Sequence, residues 1–423
     1  MRRQWELRLA SYSRQGILVV PHETVLISTI AVSLAYACVG GYAAHRLRLP
    51  PLVGYLLAGI VVGPFTPGFV ADAKLAGELA EIGVILLMFG VGMHFSLRDL
   101  AAVRHIALPG AVIQMVVATA LGIAVARLWS WTFGAGLVLG LALSVASTVV
   151  LLRALEAQGT LGSAQGRLAV GWLIVEDLVM VLTLVLLPAF SGSLSGAPSD
   201  HTASTLPHLL VTLGLTFGKV AIFIVLMLLV GARLFPWLLA HVARTGSREL
   251  FTLAVIAVAL GIAFSAYELF GVSLALGAFC AGMVINESDH SHRAASDLQP
   301  LQDAFTVLFF VAVGMLFDPA ILVRQPLAVL LVVVIIMLGK SLAAFLIIRA
   351  LRYPLSAALT VAAGLAQIGE FSFILAELGT HLGLLPLTGR NLILAGALLS
   401  ITLNPLCFRG AKAIQDWRRV SPI

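Results

Sequence analysis

Residues 171–188 read GWLIVEDLVMVLTLVLLP, an apolar run broken only by the adjacent acids Glu176 and Asp177. About 20 mostly apolar residues in a helix cross the hydrocarbon core of a bilayer. The acidic pair falls near the middle of such a span, here taken as residues 167–190, where charge is expensive and marks a candidate functional site. Adjacent residues on a helix point about 100° apart. One carboxylate can therefore line an aqueous cavity while the other pairs within the protein. A structural ion pair is the competing reading, although Arg167 is the only Lys or Arg within ten residues on either side.

The rest of the chain has the same character. Of 423 residues, 60% are apolar and 11% charged, against about a quarter charged in a soluble protein. Mean hydropathy is +1.04. Such a chain cannot coat a water-facing surface of this size, which excludes a soluble enzyme, a disordered protein and a nucleic-acid binder despite the net charge of +6. The fold class is an all-α polytopic membrane protein whose surroundings are the lipid bilayer. Thirteen candidate spans follow from the apolar runs, at about 24–44, 51–65, 75–95, 106–128, 133–152, 167–190, 207–232, 249–267, 271–286, 299–317, 326–349, 355–379 and 389–408. Residues 191–207 (SGSLSGAPSDHTASTLP) form the one long loop. Cys38, Cys280 and Cys407 lie singly in apolar runs, so no disulfide, metal site or cofactor is expected. No G-x-x-x-x-G-K-[ST] motif is present to bind ATP.

Thirteen spans with an outside N-terminus place Arg46, Arg48, Arg98, Arg104, Arg153, Arg167, Arg233, Arg244, Arg248, Arg293, Arg349, Arg352, Arg409, Lys412, Arg418 and Arg419 inside. Only Lys74, Arg127, Arg324 and Arg390 fall outside. This asymmetry puts the C-terminus in the cytoplasm, and the expected location is a bacterial inner membrane. Arg2, Arg3, Arg8 and Arg14 run against the rule, so residues 1–21 are read as a tail with a mis-assigned start near Pro21. Residues 22–408 form the membrane domain and 409–423 a short cytoplasmic tail.

MFGVGMHF at 88–95 returns as FVAVGMLF at 310–317, 222 residues later, and AGIV at 58–61 returns as AGMV at 281–284, an offset of 223. The matched spans lie seven apart, and an odd separation reverses direction. The expectation is two inverted six-helix repeats joined by span 7, an arrangement that places a transporter's site near the midplane where discontinuous helices meet. Two spans look broken in this way. One carries Ser144, Ser147 and Thr148; the other carries Gln367, Gly369, Glu370 and Ser372. Residues 147 and 370 are equivalent under the offset. Back-bonded hydroxyls in ordinary helices are the plainer alternative. Lys340 stands mid-span in VVIIMLGKSLAAFLIIRAL, too deep to snorkel easily, with Glu176 or Asp177 as its economical partner.

Other polar residues carry less. Glu81, Gln114, Asp303 and Asn404 read as packing or gating groups, and Glu268, Glu287 and Asp318 as solvated span ends. Lys219 has no assigned role.

Together, GWLIVEDLVM, the Ser147-Thr148 pair, Lys340 and AQIGEFSFIL at 366–375 resemble the monovalent cation:proton antiporter family in its Kef-type branch. PLVGYLLAGIVVGPFTPGFVAD, ELAEIGVILLMFGVGMHFSL and SRELFTL bring the likeness closest to YbaL-type members, over about residues 22–408. The resemblance implies a core domain of spans 4–6 and 11–13 moving against a dimerisation domain of spans 1–3 and 8–10, in a homodimer. It makes Asp177 the essential ion-binding residue and Lys340 the partner of position 176. That position is Asp in electrogenic sodium members, Asn in electroneutral ones and Gln in Kef potassium members; Glu176 departs from all three. Kef-type chains usually continue into a nucleotide-binding regulatory domain, and none is expected here unless a separate regulatory subunit supplies it. The implied activity is exchange of a monovalent cation (K⁺ or Na⁺) for protons. The alternatives are a gated potassium efflux pathway with channel-like flux and a sodium-coupled organic-anion symporter.

Overall fold

The computed structural model of the chain describes residues 25–47, 49–66, 71–94, 97–194, 214, 218–288 and 290–420. Among them every regular element is a helix. In chain order these are α1 (Val25–Arg46), α2 (Pro51–Val62), α3 (Ala73–His94), α4 (Leu97–Leu128), α5 (Phe133–Ser144), α6 (Thr148–Ala157), α7 (Ala164–Leu194), α8 (Gly218–Ala243), α9 (Arg248–Phe270), α10 (Leu274–Asn286), α11 (Ser291–Met315), the single turn α12 (Ile321–Arg324), α13 (Pro326–Ala350), α14 (Leu355–Gly364), α15 (Glu370–His381) and α16 (Leu387–Val420).

Ten stretches among the described residues are helices long and apolar enough to cross a bilayer, counting α5 with the start of α6 as one. The count of thirteen does not follow from length. The other three apolar helices, α2, α10 and α14, have only 12, 13 and 10 residues. At about 1.5 Å per residue they rise about 15–20 Å, short of the roughly 30 Å core. Two boundaries also move. The last helix runs unbroken from Leu387 to Val420, so the expected tail is helical for most of its length. Helix α8, described from Gly218, runs on to Ala243, past the expected end at 232, while residues 1–21 and most of 191–217 lie outside the described residues.

The chain divides into two compact units, Met1–Val84 with Pro300–Ala320, and Ile85–Gln299 with Ile321–Ile423. Spans 8 and 9 thus group in the larger unit with the second half of span 3, while spans 1 and 2 belong to the smaller one. The reason is a close contact within that unit. A Cβ on Gly92 would collide with the Phe279 carbonyl, and one on Gly282 with the Phe89 carbonyl. The smaller unit contains the image of this contact, where Gly59 meets Val311 and Gly314. Gly59 and Gly282 stand 223 apart, Gly92 and Gly314 222 apart. The two sequence matches are therefore one helix–helix contact made twice, once in each unit.

Close backbone approach of this kind leaves no room for a side chain, and pressing one against backbone costs about 1–3 kcal/mol or more. Gly282→Val is expected to lower the thermal unfolding temperature in detergent clearly. Gly261→Val, at a position whose Cβ meets nothing within 4 Å, is expected to leave it nearly unchanged.

In the larger unit Trp172, Leu173, Leu151, Leu155, Ile348, Val361 and Leu365 form a buried apolar cluster. It draws on α6, α7, α13, α14 and the residue following α14, the elements that hold the polar site.

Candidate ion and proton site

Two helical spans of the larger unit are interrupted. The first stops at Ser144 and resumes at Thr148, with Val145 (φ −101°, ψ 133°) and Ser147 (φ −76°, ψ 122°) extended. The second stops at Gly364 and resumes at Glu370, where Gly369 is also extended (φ −129°, ψ −160°). Both interruptions fall where the sequence clusters its small polar residues. Serine competes with the helix by bonding local backbone, and Ser147 does so as the N-cap of α6, accepting from the Val150 N–H at 3.3 Å.

The breaks cross at one point. Gly369 follows Ser147 by the repeat offset of 222, and a Cβ on Gly369 would lie 2.5 Å from the Ser147 Cα. A residue touches its own repeat image only on the axis relating the repeats. Four helix ends converge there: the carbonyl ends of α5 and α14 and the N–H ends of α6 and α15. They bring partial charges of both signs into the crossing.

Side chains complete what the broken helices leave open. The Gln367 amide accepts from the Ser147 N–H at 2.9 Å and donates to the Ser147 carbonyl at 3.1 Å and the Gly364 carbonyl at 3.2 Å. Ser372 donates to the Ala142 carbonyl at 2.6 Å. Glu176, from α7, accepts the Ala146 N–H at 2.8 Å. Gln114, from α4, donates to the Ser144 carbonyl at 3.1 Å and accepts from the Trp172 indole at 3.3 Å. Lys340, from α13, donates to the Gln367 carbonyl at 2.7 Å. Asn404, from α16, donates to the Ala363 carbonyl at 2.8 Å. Besides Gln367, which bonds to both, each break is held by one ionisable and one amide side chain from neighbouring helices. Gln114 and Asn404, read from sequence only as packing or gating groups, belong to this frame; their matching roles show only once the unpaired carbonyls are located.

Asp177 lies beside Glu176 on α7, and both reach the first break despite the turn between them. Thr148, the first residue of α6, donates its hydroxyl to Asp177 Oδ2 at 3.1 Å. Ser147 donates to Glu370 Oε2 at 3.2 Å. Lys340, Glu176, Asp177 and Glu370 are all buried. Asp177 Oδ1 and Glu176 Oε1 are buried acceptors with no hydrogen-bond partner. Lys340 attracts Glu176, while Glu370 and Glu176 both repel Asp177. Among the described residues no three His, Cys, Asp or Glu converge as a metal site.

The Lys340 ammonium acts electrostatically on Glu176, but among the described residues no ion pair within 4.0 Å joins it to a carboxylate; its hydrogen bond goes to the Gln367 carbonyl. The carbonyl end of a broken helix offers a buried ammonium a partner without a second desolvated charge, and removing a charge from water is the larger cost at this depth. Glu81, Asp303, Glu268, Glu287 and Lys219 are exposed, and Asp318 is half-buried.

The frame makes Gln367 a strong point for substitution. Gln367→Leu leaves the Ser147 N–H and two carbonyls to find new partners, at about 1–3 kcal/mol for each group left unsatisfied. A marked fall in thermal stability in detergent is expected. Ser372→Ala, which removes a single hydroxyl bond, should cost much less.

Residues 31–409 match the family model described as "Sodium/hydrogen exchanger, transmembrane". The chain belongs to this family. Within the sodium/hydrogen exchanger family it is 62% identical over 387 residues to the "Putative cation/proton antiporter YbaL" of Escherichia coli, covering 92% of this chain and 68% of that one. It is 32% identical over 394 residues to the "K(+) efflux antiporter 4" of Arabidopsis thaliana, covering 92% of this chain and 64% of that one. In fold it is similar to the sodium proton antiporter MjNhaP1 from Methanocaldococcus jannaschii, with a TM-score of 0.68 at 17% identity, covering 91% of this chain and 97% of that one. The matched family segment contains every residue of the crossing.

Proposed function

We propose that the chain exchanges a monovalent cation, K⁺ or Na⁺, for protons by alternating access at Asp177. The observation that carries this reading is the free Oδ1 of Asp177, buried beside the crossing of two broken helices. A deprotonated carboxylate there binds a cation, helped by Thr148 and by carbonyls at the α5 and α14 ends. A proton on the same oxygen displaces the cation. Because an unpaired carboxylate in a low-dielectric interior is costly, the occupied or protonated carrier crosses and the bare one does not. Ser147, Gln367 and Glu370 hold the crossing, and Glu176 with Lys340 forms a second proton site that responds when the cation binds.

The printed names of the Escherichia coli and Arabidopsis relatives support cation/proton exchange. The positive-inside asymmetry supports a cytoplasmic C-terminus in a bacterial inner membrane, and we take the working form as a homodimer. The test is transport in proteoliposomes with an internal pH dye, adding Na⁺, K⁺ and Li⁺ in turn. Exchange predicts a cation-dependent pH change in one or more of these. Cation leak that ignores an imposed pH gradient would point instead to channel-like flux.

A further inference from the structure

The three acids of the crossing do not share the charge of Lys340 evenly. Its ammonium acts on Glu176. The charges that act on Asp177 are Glu370 and Glu176, and both repel it. Glu370, from the other broken span, repels Asp177 more than Glu176 does, although Glu176 is its neighbour in the chain. We infer that Glu370 is a second carboxylate ligand of the transported cation, which binds between it and Asp177. This inference rests on the exchange reading above and adds a residue to its site.

Two consecutive hydroxyls position the pair. Thr148 donates to Asp177 Oδ2 at 3.1 Å, and Ser147 donates to Glu370 Oε2 at 3.2 Å. One short segment, at the start of α6, therefore holds both carboxylates. Ser147 and Glu370 are also equivalent under the repeat offset of 223, so their bond lies where the two breaks cross. Glu370 is 3% exposed. A carboxylate has about four lone-pair sites. The Ser147 hydroxyl and the Glu370 N–H occupy two of them, which leaves capacity for an ion. Asp177 offers a whole oxygen, the unpartnered and buried Oδ1.

The electrostatics ask for a positive ligand. Two buried carboxylates without a counter-charge are costly. The ammonium of Lys340 is engaged with the Gln367 carbonyl and acts on Glu176. Among the described residues no ion pair joins Asp177 or Glu370 to a Lys, Arg or His. Glu370 is the first residue of α15, where the N–H end of the helix favours its negative charge. A monovalent cation between the two carboxylates supplies the missing charge, and the carbonyl ends of α5 and α14 complete its oxygens. An anion would meet repulsion from both sides. Holding the crossing together needs just an acceptor for the Ser147 hydroxyl, which an amide provides. Holding the cation needs the charge.

Glu370→Gln separates these two roles, because glutamine keeps the acceptor and loses the charge. The purified variant and wild type are compared in two ways, with Na⁺, K⁺ and Li⁺ tried in turn. The first readout is the rise in unfolding temperature that saturating cation brings in detergent; the second is cation-driven proton movement in proteoliposomes. In Glu370→Gln the cation-induced stabilisation is expected to shrink, while the unfolding temperature without cation stays equal to wild type or rises. The apparent KM for the cation should increase by about tenfold or more, with the maximal rate falling much less. Glu370→Asp, which keeps the charge, should recover part of the affinity. A wild-type KM and cation stabilisation in Glu370→Gln would overturn the ligand role and leave exchange at Asp177 standing. A lower unfolding temperature and maximal rate at unchanged KM would show a purely structural role and overturn it equally. Cation stabilisation that depends on Glu370 in a wild type moving no protons would sink the exchange reading and keep the ligand.

Discussion

Asp177→Asn is expected to reduce cation-driven proton movement in proteoliposomes to the level of empty liposomes while leaving the protein folded. Asparagine keeps an acceptor for the Thr148 hydroxyl, now 3.1 Å from Oδ2, so the end of α6 stays held. What disappears is the titratable charge. The variant can neither take a proton nor balance a cation, and its site presents an amide where the unpartnered Oδ1 now lies. Glu176→Gln separates the two acids: it keeps an acceptor for the Ala146 N–H and is expected to alter coupling without abolishing exchange. Elution on size exclusion beside the wild type guards against loss through misfolding.

The second large effect is on stability. Lys340→Met removes the one positive charge among the described residues that acts on Glu176 and the donor to the Gln367 carbonyl. Glu176, Asp177 and Glu370 would then remain with no compensating cation at the crossing. Removing one member of a buried charge arrangement costs about 3–5 kcal/mol, and a large fall in thermal stability is expected. The double variant Lys340→Met/Glu176→Gln should recover part of the loss, because the stranded charge goes with its partner. Such non-additivity is the signature of coupled neighbours. If the two losses simply add, Lys340 acts only on the carbonyl and not on Glu176.

Much of this was legible in the sequence, for physical reasons. Polar residues at membrane depth are costly enough to stand out, so Glu176, Asp177, Lys340 and Glu370 could be named from composition and spacing. The breaks were legible because Ser144, Ser147 and Thr148 fall at the repeat offset from Gln367, Gly369 and Glu370. The glycine matches revealed the repeat but not their meaning, since periodicity does not say which helix a small residue meets. Only the backbone shows Gly59 against Gly314 and Gly92 against Gly282 as two copies of one contact. The hydrogen-bond acceptor of Lys340 was not named for a similar reason. A search among side chains finds carboxylates, whereas the acceptor is a main-chain carbonyl exposed by the break. Helix length alone does not give the span count: α2, α10 and α14 belong to apolar runs but stop at 12, 13 and 10 residues.

Competition of cation and proton for Asp177 is tested most directly by the pH dependence of the apparent KM for the transported cation in proteoliposomes. Competition predicts that KM rises as pH falls, approaching tenfold per pH unit once the carboxyl is mostly protonated, with the maximal rate restored by saturating cation. A KM that does not change with pH, or exchange that persists in Asp177→Asn, would contradict the account.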